Sequence, residues 1–426
     1  MSYLYNLAIL VYTFSIRVVA LWNSKARRWI EGRKNLFEEI ESSVKSGEKI
    51  AWFHCASLGE FEQAKPVMEL FRKRNQEYKI LLTFFSPSGY DVRKNYPGAD
   101  YVFYLPADTA ANSKRFIDLI KPSIAVFTKY DFWFNYLREL KTQSIPTVVY
   151  SAVFRRDQYF FQEYGEWFLK ILSRINIIYV QDENSRRLLS KAKVNNAKLC
   201  GDTRYDRVMQ IAEQRIDFPL IEKFKAGKTT IVAGSSWKED ERNMIELMKK
   251  RKGTMKFIIA PHEIDEKHIS DLMENIPVPA LRFSQANEEN IYKAEALIID
   301  NMGILSQVYR YGDLAYVGGG FGKGIHNILE PAAFSIPVII GPNYQKFTEA
   351  VEMVNLGMAF PIEKFRQLNN KITDLFFVKG SVQVVKDRIT EFMNSKRGAT
   401  QQVVEGLEKL LAASNNRYFR PQDFIE

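Results

Sequence analysis

Short apolar runs alternate with helix-forming segments along most of the chain, beginning at Lys49. Strand-like runs at 49–54, 79–85 and 123–128 are each followed by a helical pattern or a helix start signal. Neighbouring parallel strands need a crossover connection, and a helix usually supplies it. The alternation therefore predicts an α/β fold built on doubly wound parallel sheets.

This pattern stops near residue 206 and begins again with a strand-like run at 229–233. A chain of 426 residues is long enough for two or three domains, at roughly 150 residues each. We predict two Rossmann-like domains, spanning residues 25–206 and 207–426. The second is expected to end in a helix over 382–413, followed by a polar tail.

The segment 1–24 contains an apolar run, Tyr3 to Trp22, in which Arg17 is the only charge. The run is about long enough to span a bilayer, and several basic residues follow it. A secretory signal has its positive charge before the apolar run and a small-residue cleavage site after it, and neither is clear here. We predict a membrane anchor or docking helix, with the rest of the chain in the cytoplasm. A helix lying in the membrane interface and a helix packed only on the protein are the alternatives.

The net charge of +10 indicates an anionic partner, such as nucleic acid, an anionic membrane or a phosphorylated substrate. Charged residues make up 26% of the chain and hydrophobic residues 46%, a globular composition that excludes a disordered protein. Two cysteines, Cys55 and Cys200, are too few for a disulfide framework. The four histidines form no pair with the spacing of a zinc site, so we expect no bound metal.

A glycine-rich stretch follows the strand-like run 314–317, with five glycines between residues 318 and 324. Without side chains, the backbone N–H groups of such a loop can approach a phosphate closely. A helix signal over 327–334 comes next, with Asn327 as a possible N-cap. Glu330 lies one turn into this helix, where its carboxylate can accept hydrogen bonds from ribose hydroxyls. The alternative is an ordinary glycine-rich turn with a surface glutamate.

Glu60 ends the motif Ser57-Leu-Gly-Glu60, directly after the first strand of the first domain. Ligands of parallel α/β sheets bind at the carboxyl ends of the strands, so Glu60 is expected to face such a crevice. An ionised glutamate there can act as a general base toward a hydroxyl. The alternative is a helix-start glutamate that only complements the helix dipole.

Arg204 lies in the motif Gly201-Asp-Thr-Arg-Tyr-Asp206, and its rigid fork suits a phosphate or carboxylate. An arginine in a surface linker is the alternative. Polar or glycine residues also follow four strands of the second domain, and these strand ends are expected to converge on one rim. Besides the glycine stretch, they contribute Ser235, Pro261, His262, Met302 and Gly303.

Six motifs, in this order and spacing, resemble those of the 3-deoxy-D-manno-octulosonic acid (Kdo) transferases of lipopolysaccharide biosynthesis. The similarity runs from the N-terminal apolar segment nearly to the C-terminus. The motifs are Ser57-Leu-Gly-Glu60, Ser86-Pro-Ser-Gly89, Gly201-Asp-Thr-Arg-Tyr-Asp206, Met302-Gly303, His326-Asn-Ile-Leu-Glu330 and Gly341-Pro-Asn-Tyr-Gln-Lys-Phe347.

The resemblance implies an inverting glycosyltransferase with the two-Rossmann GT-B fold, attached to the cytoplasmic face of the inner membrane. Members of this family move Kdo from CMP-Kdo to the tetraacyl disaccharide precursor of lipid A, lipid IVA. The implied partners are therefore CMP-Kdo, the lipid A precursor and the membrane surface. The fold implies no metal and no cofactor, and no nucleic-acid-binding module is recognisable.

The resemblance also implies roles for individual residues. Glu60 falls on the family's general base, and Arg204 falls where the family has a basic residue, usually lysine, that stabilises developing charge. The CMP-contacting segments of the family fall on Pro261, His262, Met302, Gly303, Asn327, Ile328, Leu329 and Glu330.

The chain departs from the family pattern at three positions. His262 replaces the usual arginine, and Ile304 replaces a common glutamate. Lys129 stands where many members have a glutamate thought to assist the transition state. Its cation can bind the Kdo carboxylate or a substrate phosphate. Alternatively, Lys129 points away and Asp131 takes the acidic role.

Two other functions remain open at this point. One is another GT-B transferase that uses a UDP-sugar, and it predicts turnover of UDP-sugars. The other is a basic nucleic-acid-binding protein with Rossmann-like domains, and it predicts salt-sensitive affinity for nucleic acid.

Overall fold

A computed structural model describes residues 2–163, 165–378 and 380–415 of the chain. The chain divides into two compact units. Unit 1 comprises Met1–Arg207 and Gly398–Glu426, and unit 2 comprises Val208–Arg397. The predicted polar tail, from residue 416 onward, lies outside the described residues.

Unit 1 is built around a seven-stranded sheet in the order β3-β2-β1-β4-β5-β6-β7, and each of these strand pairs is parallel in the described residues. Both faces of the sheet are covered, as is usual for parallel sheets. The strands are β1 (Lys49–Cys55), β2 (Tyr78–Phe84), β3 (Tyr101–Tyr104), β4 (Pro122–Thr128), β5 (Thr147–Ala152), β6 (Ile177–Val180) and β7 (Ala197–Leu199).

The helices of unit 1 include the crossovers that the alternating pattern predicts. They are α1 (Ser2–Val19), α2 (Ser24–Glu31), α3 (Leu36–Ser43), α4 (Leu58–Arg74), α5 (Pro87–Arg93), α6 (Ala110–Ile120), α7 (Phe134–Thr142), α8 (Glu166–Leu172), α9 (Glu183–Lys191) and α10 (Thr203–Glu213), with a 3-10 turn at Tyr159–Phe161. Helix α10 carries the chain into unit 2.

Unit 2 repeats the architecture with a parallel seven-stranded sheet in the described residues, ordered β10-β11-β9-β8-β12-β13-β14. Its strands are β8 (Thr230–Ser236), β9 (Lys256–Pro261), β10 (Ala280–Arg282), β11 (Ala296–Ile298), β12 (Leu314–Val317), β13 (Val338–Ile340) and β14 (Ala359–Pro361). Its helices are α11 (Pro219–Lys225), α12 (Lys238–Arg251), α13 (Glu266–Asn275), α14 (Leu305–Val308), α15 (Leu329–Ala332), α16 (Thr348–Asn355), α17 (Phe365–Phe377) and α18 (Ser381–Ser395), with 3-10 turns at Phe283–Gln285, Ile291–Lys293 and Tyr309–Tyr311. The prediction of two parallel α/β domains is thus confirmed.

The helix expected over 382–413 is divided into α18 and α19 (Ala399–Asn415), with the left-handed Gly398 between them, and α19 also differs from its expected place. We expected it in the second domain, but it belongs to unit 1, where it packs on α4 and the face of the sheet. Its residues Val403, Val404 and Leu407 are fully buried in the same core cluster as Phe61 of α4. The apolar stripe of α19 covers one face of the first sheet, and this burial explains the placement.

Helix α1 is docked on unit 1 along one side. Tyr5 donates its hydroxyl hydrogen to Asp108 at 2.6 Å, and Asn135 Nδ2 donates to Asn6 Oδ1 at 2.8 Å. Further along, Tyr12 stacks on Phe85 with ring centroids 6.3 Å apart. Most other apolar side chains of the helix are exposed, and only 6% of its length is buried. By length and composition it is the one helix in the described residues that fulfils the requirements for crossing a membrane.

Candidate active site

The carboxyl ends of β1 and β4 form the candidate site of unit 1. The strand order reverses there, because the chain goes from β1 outward to β3 and then returns to place β4 on the other side of β1. Such a switch point leaves a crevice where α/β proteins bind ligands. Glu60 lies in the first turn of α4, directly after β1, as the sequence predicts. Its Oε2 accepts a hydrogen bond from the Ala56 N–H at 2.5 Å, which turns the side chain back toward the strand end.

Glu60 is largely buried, and this burial has an electrostatic consequence. Desolvation, and secondly the charge of Asp131, raise the pKa of Glu60 to about 7. The Ala56 N–H and the ammonium of Lys129 act in the opposite direction. A carboxyl group with a pKa near neutrality combines a usable fraction of the basic form with a high proton affinity, as a general base requires.

Asp131 is held in place by a chain of hydrogen bonds that starts inside the core. Trp52 Nε1 donates to Thr83 Oγ1 at 2.8 Å, and Thr83 Oγ1 lies 2.8 Å from His54 Nδ1. His54 Nε2 in turn lies 2.7 Å from Asp131 Oδ2. Trp52, His54 and Thr83 are fully buried, so the chain fixes the carboxylate of Asp131 on the side from which its charge acts on Glu60.

Lys129 follows β4 immediately and has a left-handed backbone, with φ of 65°. Its N–H donates to the Tyr150 carbonyl at 2.9 Å, which holds the strained turn against β5. Ser151, near the end of β5, is also left-handed, with φ of 55°. Non-glycine residues in this region cost about 1–3 kcal/mol each and tend to cluster at functional sites. The charges of both Lys129 and Asp131 act on the pKa of Glu60: Lys129 lowers it and Asp131 raises it.

Arg204 is fixed by its neighbour Asp202. The Arg204 Nε donates to Asp202 Oδ2 at 2.7 Å, and the Arg204 backbone N–H donates to Oδ1 at 2.9 Å. Thr203 ties the motif to α4, because its Oγ1 donates to the Gln63 carbonyl at 2.9 Å. Gln63 is one turn beyond Glu60, so the structure brings Glu60, Lys129 and Arg204 to the same edge of the first sheet. About a third of the Arg204 side chain is exposed.

The candidate site of unit 2 is organised by Asp240 of α12, which is fully buried. Its Oδ2 accepts hydrogen bonds from the N–H groups of Trp237 at 3.0 Å and Gly319 at 2.8 Å, and its Oδ1 accepts from the Tyr316 hydroxyl at 2.9 Å. Burial raises the pKa of Asp240, and these hydrogen bonds act against that rise. The Gly319 N–H, which we expected to face a phosphate, is thus used inside the protein. In the described residues, no atom accepts a hydrogen bond from the N–H of Gly320 or Phe321.

The glycines of this loop are required by close backbone contacts. A Cβ on Gly320 would lie 2.7 Å from the Cα of Gly341, at the end of β13. A Cβ on Gly318 would lie 2.3 Å from the Ser235 carbonyl oxygen. Any side chain at either position would push the loop away from the strand ends. Ser235 itself is left-handed, with φ of 51°.

Three aromatic rings stack beside the glycine loop. The rings of Trp237 and His262 have centroids 4.6 Å apart, and those of His262 and His326 are 4.5 Å apart. Trp237 Nε1 donates to His326 Nε2 at 3.0 Å. Burial, and secondly the neighbouring His262, lower the pKa of His326, which favours the neutral ring that can accept this bond. The structure therefore brings His262 to the glycine loop, after Pro261 at the end of β9.

Asn327 and Glu330 are in direct contact, with Asn327 Nδ2 donating to Glu330 Oε1 at 3.0 Å. The helix that follows is shorter than predicted: α15 comprises only four residues, including Leu329, and Ile328 precedes it. The N-cap is Ile328 and not Asn327 as predicted, because the helix begins two residues after Asn327; Asn327 Oδ1 accepts a hydrogen bond from the Leu329 N–H at 3.2 Å.

The loop after β11 carries the remaining predicted residues. Met302 is 80% exposed, Gly303 is left-handed with φ of 91°, and Ile304 precedes α14. Ser235 and Pro261 lie at the carboxyl ends of β8 and β9, and the other donor-site candidates follow strands of unit 2. The structure therefore brings the predicted donor-site residues to one edge of the second sheet.

Curated proteins and a family model both relate this chain to Kdo transferases. A protein named 3-deoxy-D-manno-octulosonic acid transferase from Aquifex aeolicus is 28% identical over 354 residues, which cover 81% of this chain and 91% of that protein. One of the same name from Haemophilus influenzae is 25% identical and covers 84% and 87%. The family model described as 3-deoxy-D-manno-octulosonic-acid transferase matches residues 30–207. The chain is therefore similar to Kdo transferases over most of its length.

Solved structures are similar to this chain in fold. A UDP-GlcNAc 2-epimerase from Neisseria meningitidis superposes with a TM-score of 0.58 at 15% identity, covering 85% of this chain and all of that one. A putative UDP-N-acetylglucosamine 2-epimerase from Listeria monocytogenes gives 0.58 at 13% identity. These likenesses support the two-Rossmann GT-B fold class.

Some residues of the site were not anticipated. His54 is part of the first strand-like run, and a histidine inside an otherwise apolar strand was the available signal for a buried polar partner. Trp237 and Asp240 follow β8 closely. Trp237 stacks on His262, and Asp240 accepts a hydrogen bond from the Gly319 N–H of the glycine loop. Only the three-dimensional fold shows that these side chains meet His326 and Gly319.

The electrostatic arrangement around Glu60 predicts opposite effects for two substitutions. Asp131→Asn removes a neighbouring negative charge, so the pKa of Glu60 should fall. Lys129→Met removes a neighbouring positive charge, so the pKa of Glu60 should rise. Carbon-13 NMR of protein labelled at glutamate carboxyl groups measures both titrations. Shifts in the same direction, or a Glu60 titration that neither variant moves, would contradict this description of the site.

Proposed function

We propose that this protein transfers Kdo from CMP-Kdo to the tetraacyl disaccharide precursor of lipid A, with inversion at the sugar centre. Similarity to proteins named 3-deoxy-D-manno-octulosonic acid transferase supports Kdo transfer. The observation that carries the mechanism is the buried carboxyl group of Glu60 at the switch point of the first sheet, with a pKa near 7. Donor, acceptor and stereochemistry are parts of the proposal.

The acceptor is a sugar hydroxyl, which is a poor nucleophile until it loses its proton. Glu60 removes this proton as the oxygen attacks the anomeric carbon of Kdo and the bond to the CMP phosphate breaks. One base and one displacement give inversion. Burial serves this step because it raises the proton affinity of the carboxylate, while Lys129 keeps part of the population ionised.

Negative charge grows on the CMP phosphate as it leaves. Arg204 carries a guanidinium group that suits this phosphate, and its fixed position relative to Asp202 reduces the reorganisation that the step requires. The N–H groups of Gly320 and Phe321 are donors of the same kind. Lys129 supplies a second cation, for the Kdo carboxylate or a substrate phosphate.

Unit 2 supplies the residues for the nucleotide. Glu330 accepts hydrogen bonds from the ribose hydroxyls in this proposal, and its contact with Asn327 orients the carboxylate. His262 lies in the ring stack with Trp237, and this ring pair offers a flat surface beside the glycine loop. The residues Ser235, Pro261, Met302, Gly303, Ile304, Ile328 and Leu329 complete the proposed donor site.

We also propose that α1 holds the protein at the cytoplasmic face of the inner membrane by lying in the interface. Its hydrogen bonds through Tyr5 and Asn6 and the stacking of Tyr12 keep one side on unit 1. Leu4, Leu7 and other apolar side chains remain exposed and can enter the lipid.

The first test is the reaction itself. Purified protein incubated with CMP-Kdo and the lipid A precursor should give products heavier by Kdo residues, read by mass spectrometry. Glu60→Gln should lower kcat by roughly 10²–10⁴-fold, because a neutral amide cannot take the proton. Glu62→Gln, on the same helix, is the matched control. Near-normal turnover by Glu60→Gln would reject the base, and turnover of UDP-sugars alone would reject the donor.

The second test addresses the nucleotide. Glu330→Ala should weaken CMP binding, measured by calorimetry, because the ribose hydroxyls lose an acceptor. A net contribution of about 1.5–3 kcal/mol for a hydrogen bond to a charged group corresponds to roughly ten- to hundredfold in affinity. The exposed Glu363→Ala is the control. Equal CMP affinity in both variants, with the protein folded, would assign Glu330 to the helix alone.

The third test addresses the membrane. Deleting residues 1–22 should reduce flotation with anionic liposomes and leave the sheets intact, because β1 begins only at Lys49. Basic residues in α2 should still give weak, salt-sensitive binding, at about 1 kcal/mol per cation. Full and salt-resistant flotation of the truncated protein would place the anchor elsewhere.

A further inference from the structure

A groove separate from the residues of the proposed reaction lies beside the membrane-docking helix. It has a volume of about 450 Å³, within the range of small-molecule sites. Its walls come from α1, from the segment joining α2 to α3, and from the connection between β3 and α6. The lining residues are Leu10, Thr13, Arg17, Trp29, Ile30, Arg33, Lys34, Leu36, Phe37, Pro106, Ala107, Thr109 and Asn112.

The charges of this lining have one sign. Among the described residues that form it, Arg17, Arg33 and Lys34 are basic and none is acidic. Asp108 is adjacent in sequence to two lining residues, but its oxygens accept hydrogen bonds from the Tyr5 hydroxyl and from backbone N–H groups at the start of α7. Its carboxyl group is therefore engaged away from the groove.

Arg33 gives the groove a partly buried positive charge that has no carboxylate partner among the described residues. In the described residues, its guanidinium donates only to the carbonyls of Trp29, Phe85 and Leu105, at 2.8–2.9 Å. Burial lowers the pKa of Arg33 to about 9, so it remains a cation at neutral pH. The ring of Trp29, 3.8 Å away, compensates part of the charge. Buried charges are normally paired, so an anion in the groove would complete this arrangement.

A second feature of the groove also favours a negatively charged ligand. Helix α6 has 11 residues, and its N-cap Thr109 lines the groove together with Asn112 of its first turn. The positive end of the helix dipole therefore adds to the three cations.

Most of the remaining lining is apolar, and it continues onto the exposed side of α1. Leu10 is 57% exposed, and Ile30 and Phe37 form the facing wall. Leu10, Thr13 and Arg17 share one stripe of α1, because they are three and four residues apart. A ligand that fits both parts has an anionic head group and alkyl chains. A free phosphate would leave the apolar wall without a partner.

We propose that this groove binds the phosphate head group of an anionic glycerophospholipid, with its acyl chains along the exposed side of α1. The site takes a membrane lipid as a bound ligand, beyond the donor and acceptor of the proposed reaction. Arg17 and Lys34 are exposed and can contact the head group directly. Arg33 provides the charge beneath it.

The test uses the full-length protein in micelles of a neutral detergent. Dihexanoyl-phosphatidylglycerol is titrated below its own micelle concentration, with dihexanoyl-phosphatidylcholine as the neutral counterpart, and binding is measured by calorimetry. Saturable one-to-one binding of the anionic lipid is expected, at least about tenfold tighter than binding of the zwitterionic lipid, since each cation near the head group contributes several-fold. Monomeric lipid separates this site from general attraction to a charged surface.

Matched double variants locate the site. Arg17→Gln with Lys34→Gln should weaken phosphatidylglycerol binding by about tenfold or more, since two of the three cations are lost. Lys25→Gln with Lys45→Gln makes the same change in net charge on exposed residues outside the lining, and it should bind like the wild type.

Four outcomes would overturn the proposal. They are the absence of saturable binding, equal binding of the two lipids, equal loss in the two double variants, and displacement of the lipid by inorganic phosphate or by the acyl-free bisphosphorylated glucosamine disaccharide. Displacement by the disaccharide would assign the groove to the acceptor. All four measurements are independent of Kdo transfer, so failure of the proposed reaction would not affect them.

Discussion

Parallel strand pairing is the constraint on which the rest of the structure depends. Each strand pair in the described sheets is parallel, so all carboxyl ends of a sheet lie along one edge. Short loops and helix starts on this edge must connect buried strands to the helices, and they carry Glu60, Lys129 and the glycine stretch. Placing these residues at one edge is accompanied by backbone strain, since Lys129, Ser151 and Ser235 have left-handed backbones at strand ends.

Two buried carboxyl groups show how the same residue chemistry serves different purposes. Asp240 has three hydrogen-bond donors that all belong to the protein, and it holds the glycine loop in place. In the part of the chain that the structure describes, Glu60 accepts a hydrogen bond from one backbone N–H, and a second carboxylate, Asp131, lies nearby. Asp240, with its three hydrogen-bond donors, has a structural role. Glu60, with fewer donors, keeps a high affinity for a proton. The His54 chain preserves this difference, because it prevents Asp131 from turning away.

Much of the fold could be predicted from local patterns in the sequence. Alternating strands and helices, a second start after residue 206 and glycines after a strand are properties of short segments, and they correctly give two parallel α/β units. The position of α19 could not be predicted in this way. Its apolar stripe fits a sheet face of either domain, and only long-range packing against Phe61 and its neighbours decides between them.

The candidate site was predictable to the same degree. Glu60, Arg204 and the donor-site residues follow strand ends, so the topology alone brings them to the expected edges. The contacts of Gly319 with Asp240 and of Trp237 with His326 join residues about 80 to 90 positions apart. No local pattern contains such pairs, and for this reason the use of the Gly319 N–H inside the protein was not foreseen.

The placement of α19 also determines the order in which the chain can be completed during synthesis. Unit 2 is formed by residues between the two parts of unit 1, so a ribosome finishes the whole of unit 2 before it makes α19. Until then, one face of the first sheet lacks the side chains of Val403, Val404 and Leu407. The unit that contains the N-terminus is therefore the last to close its core. A nascent chain that stops short of residue 399 would carry a complete second unit and an open first one.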